Sequence, residues 1–196
     1  MGKRQDNARL TREKLIEAAK ALDERKGICR VSVDEIVELA GVSKGSFYTY
    51  FRRKEDIAVA ITIRMSDLSC GEADKCGDDA LKRITVFLER TAQSIEYYGL
   101  EICKQWMRGA VSPEYLNSEQ TKRYLSDRDY ICKCLLESGW ERDPALRLAD
   151  TIVSVYYGQT AAWCMCDGAF SLSQRMSAFC REHLPSLISG AGGAQP

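Results

Sequence analysis

From Ser32 to Lys54 the chain reads Ser-Val-Asp-Glu-Ile-Val-Glu-Leu-Ala-Gly-Val-Ser-Lys-Gly-Ser-Phe-Tyr-Thr-Tyr-Phe-Arg-Arg-Lys. The stretch predicts two short helices joined by a tight turn and followed by a basic corner. Ser32 is suited to an N-cap, and Glu35 stands three residues on, which completes a capping box. Ile36, Val37, Leu39 and Ala40 supply the apolar face of the first helix. Gly41 falls where a helix ends in the left-handed conformation that side chains disfavour. Ser43 then caps a second helix after a turn of about three residues, the spacing of a helix-turn-helix. That second helix carries Lys44, Ser46, Tyr48, Thr49 and Tyr50, groups suited to base edges and phosphates. Phe47 and Phe51 are four apart, so they share one face and anchor the helix to a core.

The charge pattern agrees. The 196 residues hold 28 Lys plus Arg and 28 Asp plus Glu, so the chain as a whole is neutral. Residues 1–54 hold 13 basic against 8 acidic side chains, leaving 15 against 20 for the rest. The basic excess therefore lies at the helix-turn-helix end, where phosphate binding requires it. An apolar share of 45% is that of a globular protein with a real core. The polar start of the chain lacks a signal peptide's apolar run, and no stretch approaches the roughly 18 apolar residues of a membrane span. A cytoplasmic location with no membrane partner is expected. The nine cysteines are then thiols rather than a disulfide framework.

The run from Gly41 to Phe51, followed by Lys54-Glu55-Asp56-Ile57, closely resembles the DNA-binding domain of TetR-family transcriptional regulators. The resemblance extends from about Arg12 to Ile61, roughly a quarter to a third of the chain. It implies an all-α fold: an N-terminal three-helix helix-turn-helix domain over 1–54, a linking helix over about 55–68, and a helical effector-binding and dimerisation domain over 69–196. It also implies a sequence-specific regulator, a homodimeric repressor released from a palindromic operator by a small molecule. The implied DNA partners are Lys44, Ser46 and Thr49 in the major groove, and Tyr48, Tyr50, Lys54 and Ser32 on phosphates. Gly45 would let the backbone approach closely. Arg53 stands where relatives have a small polar cap; it is a poor cap but a good phosphate partner. Asp23 stands where relatives often have an aromatic residue, a departure in packing detail.

Along the chain, Met1 to Leu10 reads as a loose polar arm. Thr11 caps a first helix to about Lys26, with Leu15, Ala18, Ala19 and Leu22 at helical spacing. The fourth helix turns Ile57, Ala60, Ile61 and Met65 inward. Cys70 to Gly77 reads as a break. Asp78 caps a long helix to about Tyr98, with Leu81, Ile84, Leu88, Ala92 and Ile95 on one stripe. A shorter helix follows from Leu100 to Arg108. Ser112-Pro113-Glu114 starts another, which Gly139 stops. Asp143-Pro144 starts the most apolar helix, which is apolar around so much of its circumference that it must be buried on two sides. A last helix runs from Leu172 to Leu184, closed by Pro185 and followed by a Gly/Ala-rich tail.

The resemblance implies an effector pocket framed by helices between Asp78 and Asp167. Its candidate lining is Phe87, Thr91, Tyr98, Cys103, Trp106, Met107, Tyr124, Tyr130 and Tyr156, aromatic bodies with hydroxyl tips that suit a moderately apolar small molecule. The last two helices resemble the pair that forms a four-helix dimer interface in this family. Its candidates are Val153, Tyr157, Thr160, Ala161, Cys164, Met176, Phe179, Cys180 and His183. No cofactor or metal is expected: Cys132-x-Cys134 and Cys164-x-Cys166 point about 200° apart on a helix, too far to grip one ion. Cys70 and Cys76, in the expected break, are the most accessible pair. His183 is the only histidine and has no catalytic spacing around it, and no phosphate-cradling glycine loop occurs, so catalysis is not expected. Two other readings stand beside the effector-controlled repressor. One is a ligand-independent DNA-binding adaptor of the same fold; the other is a cysteine-based redox sensor.

Overall fold

A computed structural model of the chain describes residues 3–110 and 119–191. Ser112-Pro113-Glu114, expected to start a helix, lies outside them. The described residues are helical with no strand, and they fall into two compact units, 1–64 and 65–196.

The first unit holds α1 (Lys3–Lys26), a 3-10 turn (Ile28–Arg30), α2 (Val33–Ala40), α3 (Lys44–Tyr50) and the start of α4 (Lys54–Ala73). Leu15, Ile16, Ala18, Ala19, Ile28, Val31, Ile36, Val37, Phe47, Phe51, Ile57, Ala60 and Ile61 are buried in it. α1 begins well before Thr11. The stretch read as an arm contains good helix formers and no glycine or proline after position 2, so nothing stops the helix. Thr11 is an interior residue whose Oγ1 donates to the Asn7 carbonyl at 2.9 Å. Asp23 has more than a packing role. It is buried, and its carboxylate accepts from the Ile28 N–H at 2.7 Å while its carbonyl accepts from the Gly27 N–H at 2.7 Å. Asp23 therefore holds the bend out of α1. Burial pushes its carboxyl pKa up, against the pull of the Ile28 N–H.

The second unit takes the rest of α4, a 3-10 turn (Asp74–Cys76), α5 (Ala80–Tyr98), α6 (Leu100–Ala110), α7 (Glu119–Glu137), α8 (Arg142–Met165), α9 (Leu172–Glu182) and α10 (Leu184–Ala191). α7 packs along α8 and α5 along α9. Ile84, Phe87, Leu88, Ile131, Leu135, Ile152 and Leu172 form the centre of the core.

Four expectations need correction here. α4 continues past Leu68 to Ala73, so Cys70 sits on a helix and the break shrinks to the turn around Gly77. The cap of α5 is Asp79, which accepts from the Lys82 N–H at 3.1 Å; Asp78 turns its carbonyl to Ser138 Oγ instead. α8 begins one residue before Asp143, with Glu141 in the cap position and no side-chain cap bond. Asp143 and Pro144 lie in its first turn, where a negative charge and a missing N–H are both tolerated. Pro185 does not close the chain's last helix. It is the second residue of α10, where its lack of an N–H again costs no bond, and Leu184, Leu187 and Ile188 pack onto the core.

α8 also differs from its sequence reading. One side is largely apolar and enclosed: Ala145, Leu148, Ala149, Ile152, Val153, Tyr156, Thr160 and Trp163. The opposite stripe is small and polar. Arg147, Thr151, Ser154 and Gly158 are exposed along it, Ala162 is half-buried, and Met165 at 86% is the most exposed large apolar residue of the described chain.

Candidate nucleic-acid interface

The site is built from short-range bonds. The Glu35 N–H donates to Ser32 Oγ at 3.2 Å, and the Ser32 N–H donates back to Glu35 Oε2 at 2.9 Å, which fixes the start of α2. Lys26 Nζ donates to the other Glu35 oxygen at 2.5 Å. The Lys26 ammonium, helped by the Ser32 N–H and hydroxyl, holds the Glu35 carboxyl down at about 2. At the far end Gly41 is left-handed, φ 66° and ψ 37°. Its N–H donates to the Glu38 carbonyl at 3.2 Å and the Val42 N–H to the Val37 carbonyl at 3.0 Å, a Schellman closure. Only Ile36 and Val37 of α2 are buried. Leu39, expected on the same face, lies about 110° round the helix from the middle of that pair and is exposed.

Ser43 caps α3 by accepting from the Ser46 N–H at 3.1 Å, and the two hydroxyls share a bond of 2.9 Å. Phe47 and Phe51 are buried with ring centroids 5.4 Å apart, and the Arg12 guanidinium lies 5.5 Å from the Phe51 ring centre. These rings fix one side of α3. On the rest of its surface Lys44, Gly45, Tyr48 and Thr49 are exposed, and Ser46 and Tyr50 are half-buried. Tyr48 is 51% exposed with its ring edge-on to Phe47 at 5.4 Å. Thr49 Oγ1 donates to the Gly45 carbonyl at 3.0 Å. Lys44 Nζ lies 2.7 Å from Asp34 of α2, and this bond to Asp34 raises its pKa.

The basic corner has a cap that its sequence spacing only half discloses. The Arg53 N–H donates to Asp56 Oδ2 at 2.9 Å, and the Asp56 N–H donates to the Arg53 carbonyl at 3.2 Å. Asp56, at the third position of α4, performs the return half of a capping box. The other half, a side-chain acceptor at residue 53, is missing, and the Arg53 side chain is exposed.

A helix, a three-residue turn with a left-handed glycine, and a second helix seated on two phenylalanines occupy the segment that matches the family model described as bacterial regulatory proteins, tetR family, over residues 15–61. The chain carries a TetR-family DNA-binding domain. It is 36% identical over 56 residues to the HTH-type transcriptional regulator TtgR of Pseudomonas putida, covering 29% of this chain and 27% of that one. It is 46% identical over 55 residues to the transcriptional regulator AcuR of Cereibacter sphaeroides, covering 28% and 25%. The matched part thus spans about a quarter of the length of these curated relatives. Thermus thermophilus FadR, a TetR-family repressor solved with lauroyl-CoA, shares the fold with a TM-score of 0.65 at 16% identity, over 94% of this chain and 97% of that one.

Outside the TetR-family domain, the nine candidate pocket residues fall in separate places. Phe87 stacks on Tyr130 at 5.0 Å, and Tyr130 donates to Asp74 at 3.0 Å. Thr91 is buried and spends its hydroxyl on the Phe87 carbonyl at 2.7 Å. Tyr98 lines a groove of about 280 Å³ with Leu68, Ser69, Glu72, Arg90, Gln93, Ser94 and Tyr97. Trp106, Tyr124 and Tyr156 gather instead around Tyr157, with ring centroids at 5.5, 5.1 and 4.9 Å. Tyr157 donates to the buried Asp127 at 2.9 Å, and Asp127 pairs with the buried Arg123. Met107 is half-buried against the core, and Cys103 is buried.

Tyr157, expected at a subunit interface, belongs to this inner cluster. Val153, Thr160, Met176, Phe179 and Cys180, expected there too, are enclosed in the unit's own core, because the apolar side of α8 and α9 turns toward α5 and α7. Ala161 and Cys164 are half-buried, and of the nine only His183 is exposed.

Proposed function

We propose that the chain is a homodimeric transcriptional regulator that reads a palindromic operator with two copies of α3 and answers to a small molecule held by its C-terminal unit. The observation that carries this reading is the seating of α3. Phe47 and Phe51 are buried, while Lys44, Tyr48 and Thr49 stand outward on the same helix. In this reading Lys44, Ser46 and Thr49 address base edges, Gly45 admits the backbone, and Tyr48, Tyr50, Arg53 and Lys54 hold phosphates. Ser32 does so at the start of α2, where backbone N–H groups attract anions. α4 passes from the reading unit into the responding one, so the domain boundary falls within it.

One helix-turn-helix reads only a few base pairs, and a two-fold pair reads half-sites about 34–36 Å apart. The stripe Ser154, Gly158, Ala162 on α8, with exposed Gln174 and Arg181 and half-buried Ala178 on α9, favours a second copy. Its small side chains let two backbones approach. The aromatic cluster around Tyr157 favours the interior between α6, α7 and α8 as the effector region. Acyl-CoA thioesters are the first ligands to test, since the FadR neighbour was solved with one.

The test is fluorescence anisotropy with DNA flanking the chain's own gene and with random DNA, across a salt series. Binding should fall with salt, with a log–log slope of about −0.9 per phosphate contacted. Tyr48→Ala should weaken binding to both DNAs alike, whereas Thr49→Ala should reduce discrimination between them by about 1–3 kcal/mol. Equal, salt-insensitive affinity for both DNAs would remove the proposal. An unchanged affinity on adding an acyl-CoA would remove only that effector.

A further inference from the structure

Helix packing in the C-terminal unit brings together two cysteines that are 61 positions apart in the chain. Cys103 of α6 and Cys164 of α8 have their sulfurs 3.2 Å from each other. Both are free thiols. Neither belongs to a Cys-x-x-Cys motif, and among the described residues no group of three or more potential metal-ligating side chains gathers. The pair is held in a seam. Three residues after Cys103, Trp106 meets Tyr157, which lies two helical turns before Cys164, with ring centroids 5.5 Å apart. The two helices thus touch at the rings and at the thiols.

The two thiols differ in access. Cys103 is buried, and burial together with its bond to Cys164 pushes its pKa up. Cys164 is half-buried, on a flank of α8 away from the exposed stripe. A disulfide needs about 2.0 Å between sulfurs, so closure asks for an approach of about 1.2 Å.

We propose that Cys103 and Cys164 form a reversible two-electron oxidation site that closes to a disulfide between α6 and α8 when the chain meets a hydroperoxide. The Cys164 sulfur attacks the peroxide. An S–O bond forms and the O–O bond breaks; an alcohol, or water from hydrogen peroxide, leaves with the thiol proton. The Cys103 sulfur then attacks Cys164 Sγ. The S–S bond forms, the S–O bond breaks, and hydroxide leaves as water with the Cys103 proton. Two thiols and one hydroperoxide become a disulfide, an alcohol and water. A dithiol reductant reverses the change by exchange at the more accessible sulfur.

The test uses the full reduced chain and hydrogen peroxide, followed by thiol alkylation under denaturing conditions and non-reducing tryptic mapping. The expected result is a loss of two of the nine thiols and a cross-link between the peptides 91–104 and 148–175, both undone by dithiothreitol. Because the second peptide also holds Cys166, the variants decide the partner. Cys166→Ser should keep the cross-link and Cys164→Ser should abolish it, with circular dichroism confirming that each is folded. A cross-link that survives Cys164→Ser, or a Cys103 still fully alkylated after peroxide, overturns the proposal. The readout is chemical and confined to the C-terminal unit, so it succeeds or fails independently of DNA binding.

Discussion

Arg83 is the most deeply committed cation of the C-terminal unit, and its surroundings set an order of mutational costs. Its side chain is 4% exposed and pairs with Asp74 of the 3-10 turn and Glu137 of α7, while its guanidinium lies 5.9 Å from the Tyr130 ring centre. Burial works against the charge, but the bonds to Glu137 and Asp74 outweigh it and raise the Arg83 pKa. The two carboxylates are 42% and 44% exposed. Removing them through Asp74→Ala and Glu137→Ala strands a buried guanidinium, with Lys133 still nearby, and should cost about 3–5 kcal/mol. Arg83→Met leaves carboxylates that water can reach and fills the guanidinium's space with an apolar chain. What is lost is a pair of charge-assisted bonds, about 1–2 kcal/mol net. With a urea m-value of about 2 kcal/mol/M, the midpoint should fall by about 1.5–2.5 M in the double variant and by about 0.5–1 M in Arg83→Met. All three tryptophans, Trp106, Trp140 and Trp163, lie in this unit, so their fluorescence follows its unfolding alone. An Arg83→Met midpoint lower than that of the double variant would refute the reasoning.

Two further outcomes follow from the helix-turn-helix. Gly41→Ala should destabilise the N-terminal unit by about 1–2 kcal/mol in amide hydrogen exchange, because an added Cβ meets nothing within 4 Å and the whole cost is the left-handed backbone; a loss above about 4 kcal/mol would point to a clash that the geometry lacks. The Glu35 carboxyl, at about 2 in the fold against an ordinary 4.5, stabilises the fold fully above about 4.5, and that contribution disappears as pH falls through about 2. Carbon-13 titration should locate this low value and show it rising in Lys26→Met; an unshifted wild-type value would contradict the bonded geometry.

What could be read in advance was local. The Ser32–Glu35 box, the Gly41 closure, the Ser43 cap and the Phe47–Phe51 face each depend on residues three to five apart, and all are present. Features that depend on packing were not legible. No spacing rule joins Arg83 to Glu137 or Cys103 to Cys164, which meet only once α5, α6, α7 and α8 have docked. The candidate pocket residues shared a type rather than a place, so they scattered between the Phe87–Tyr130 stack, the Tyr98 groove and the Tyr157 cluster. Pro185 shows a local ambiguity: proline suits both the end of one helix and the first turn of the next, and Leu187 and Ile188 decide for the latter by burying against the core. Five of the interface candidates, Val153, Thr160, Met176, Phe179 and Cys180, are buried within the chain for a related reason. Apolar periodicity on α8 and α9 marks the side that is buried, and a single chain already buries it.

The bonds around the reading helix sort its cations by what each would give up in the proposed DNA complex. Lys26 is bound to Glu35, whose other oxygen serves the Ser32 N–H, so drawing Lys26 to a phosphate would loosen the start of α2. Lys44 is bound to Asp34, but both groups are exposed and Asp34 caps nothing in the fold; an exposed pair of this kind opens at little cost. Arg53 gives only its backbone to the start of α4, its N–H donating to Asp56, and among the described residues no bond occupies its guanidinium. That bond to Asp56 serves the N–H of residue 53, a different donor from the one a capping side chain at 53 would serve. The Arg53 side chain is exposed and adds a positive charge at this corner. Of the three, Arg53 and Lys44 are the cations the fold leaves available, and Lys26 is the one it retains.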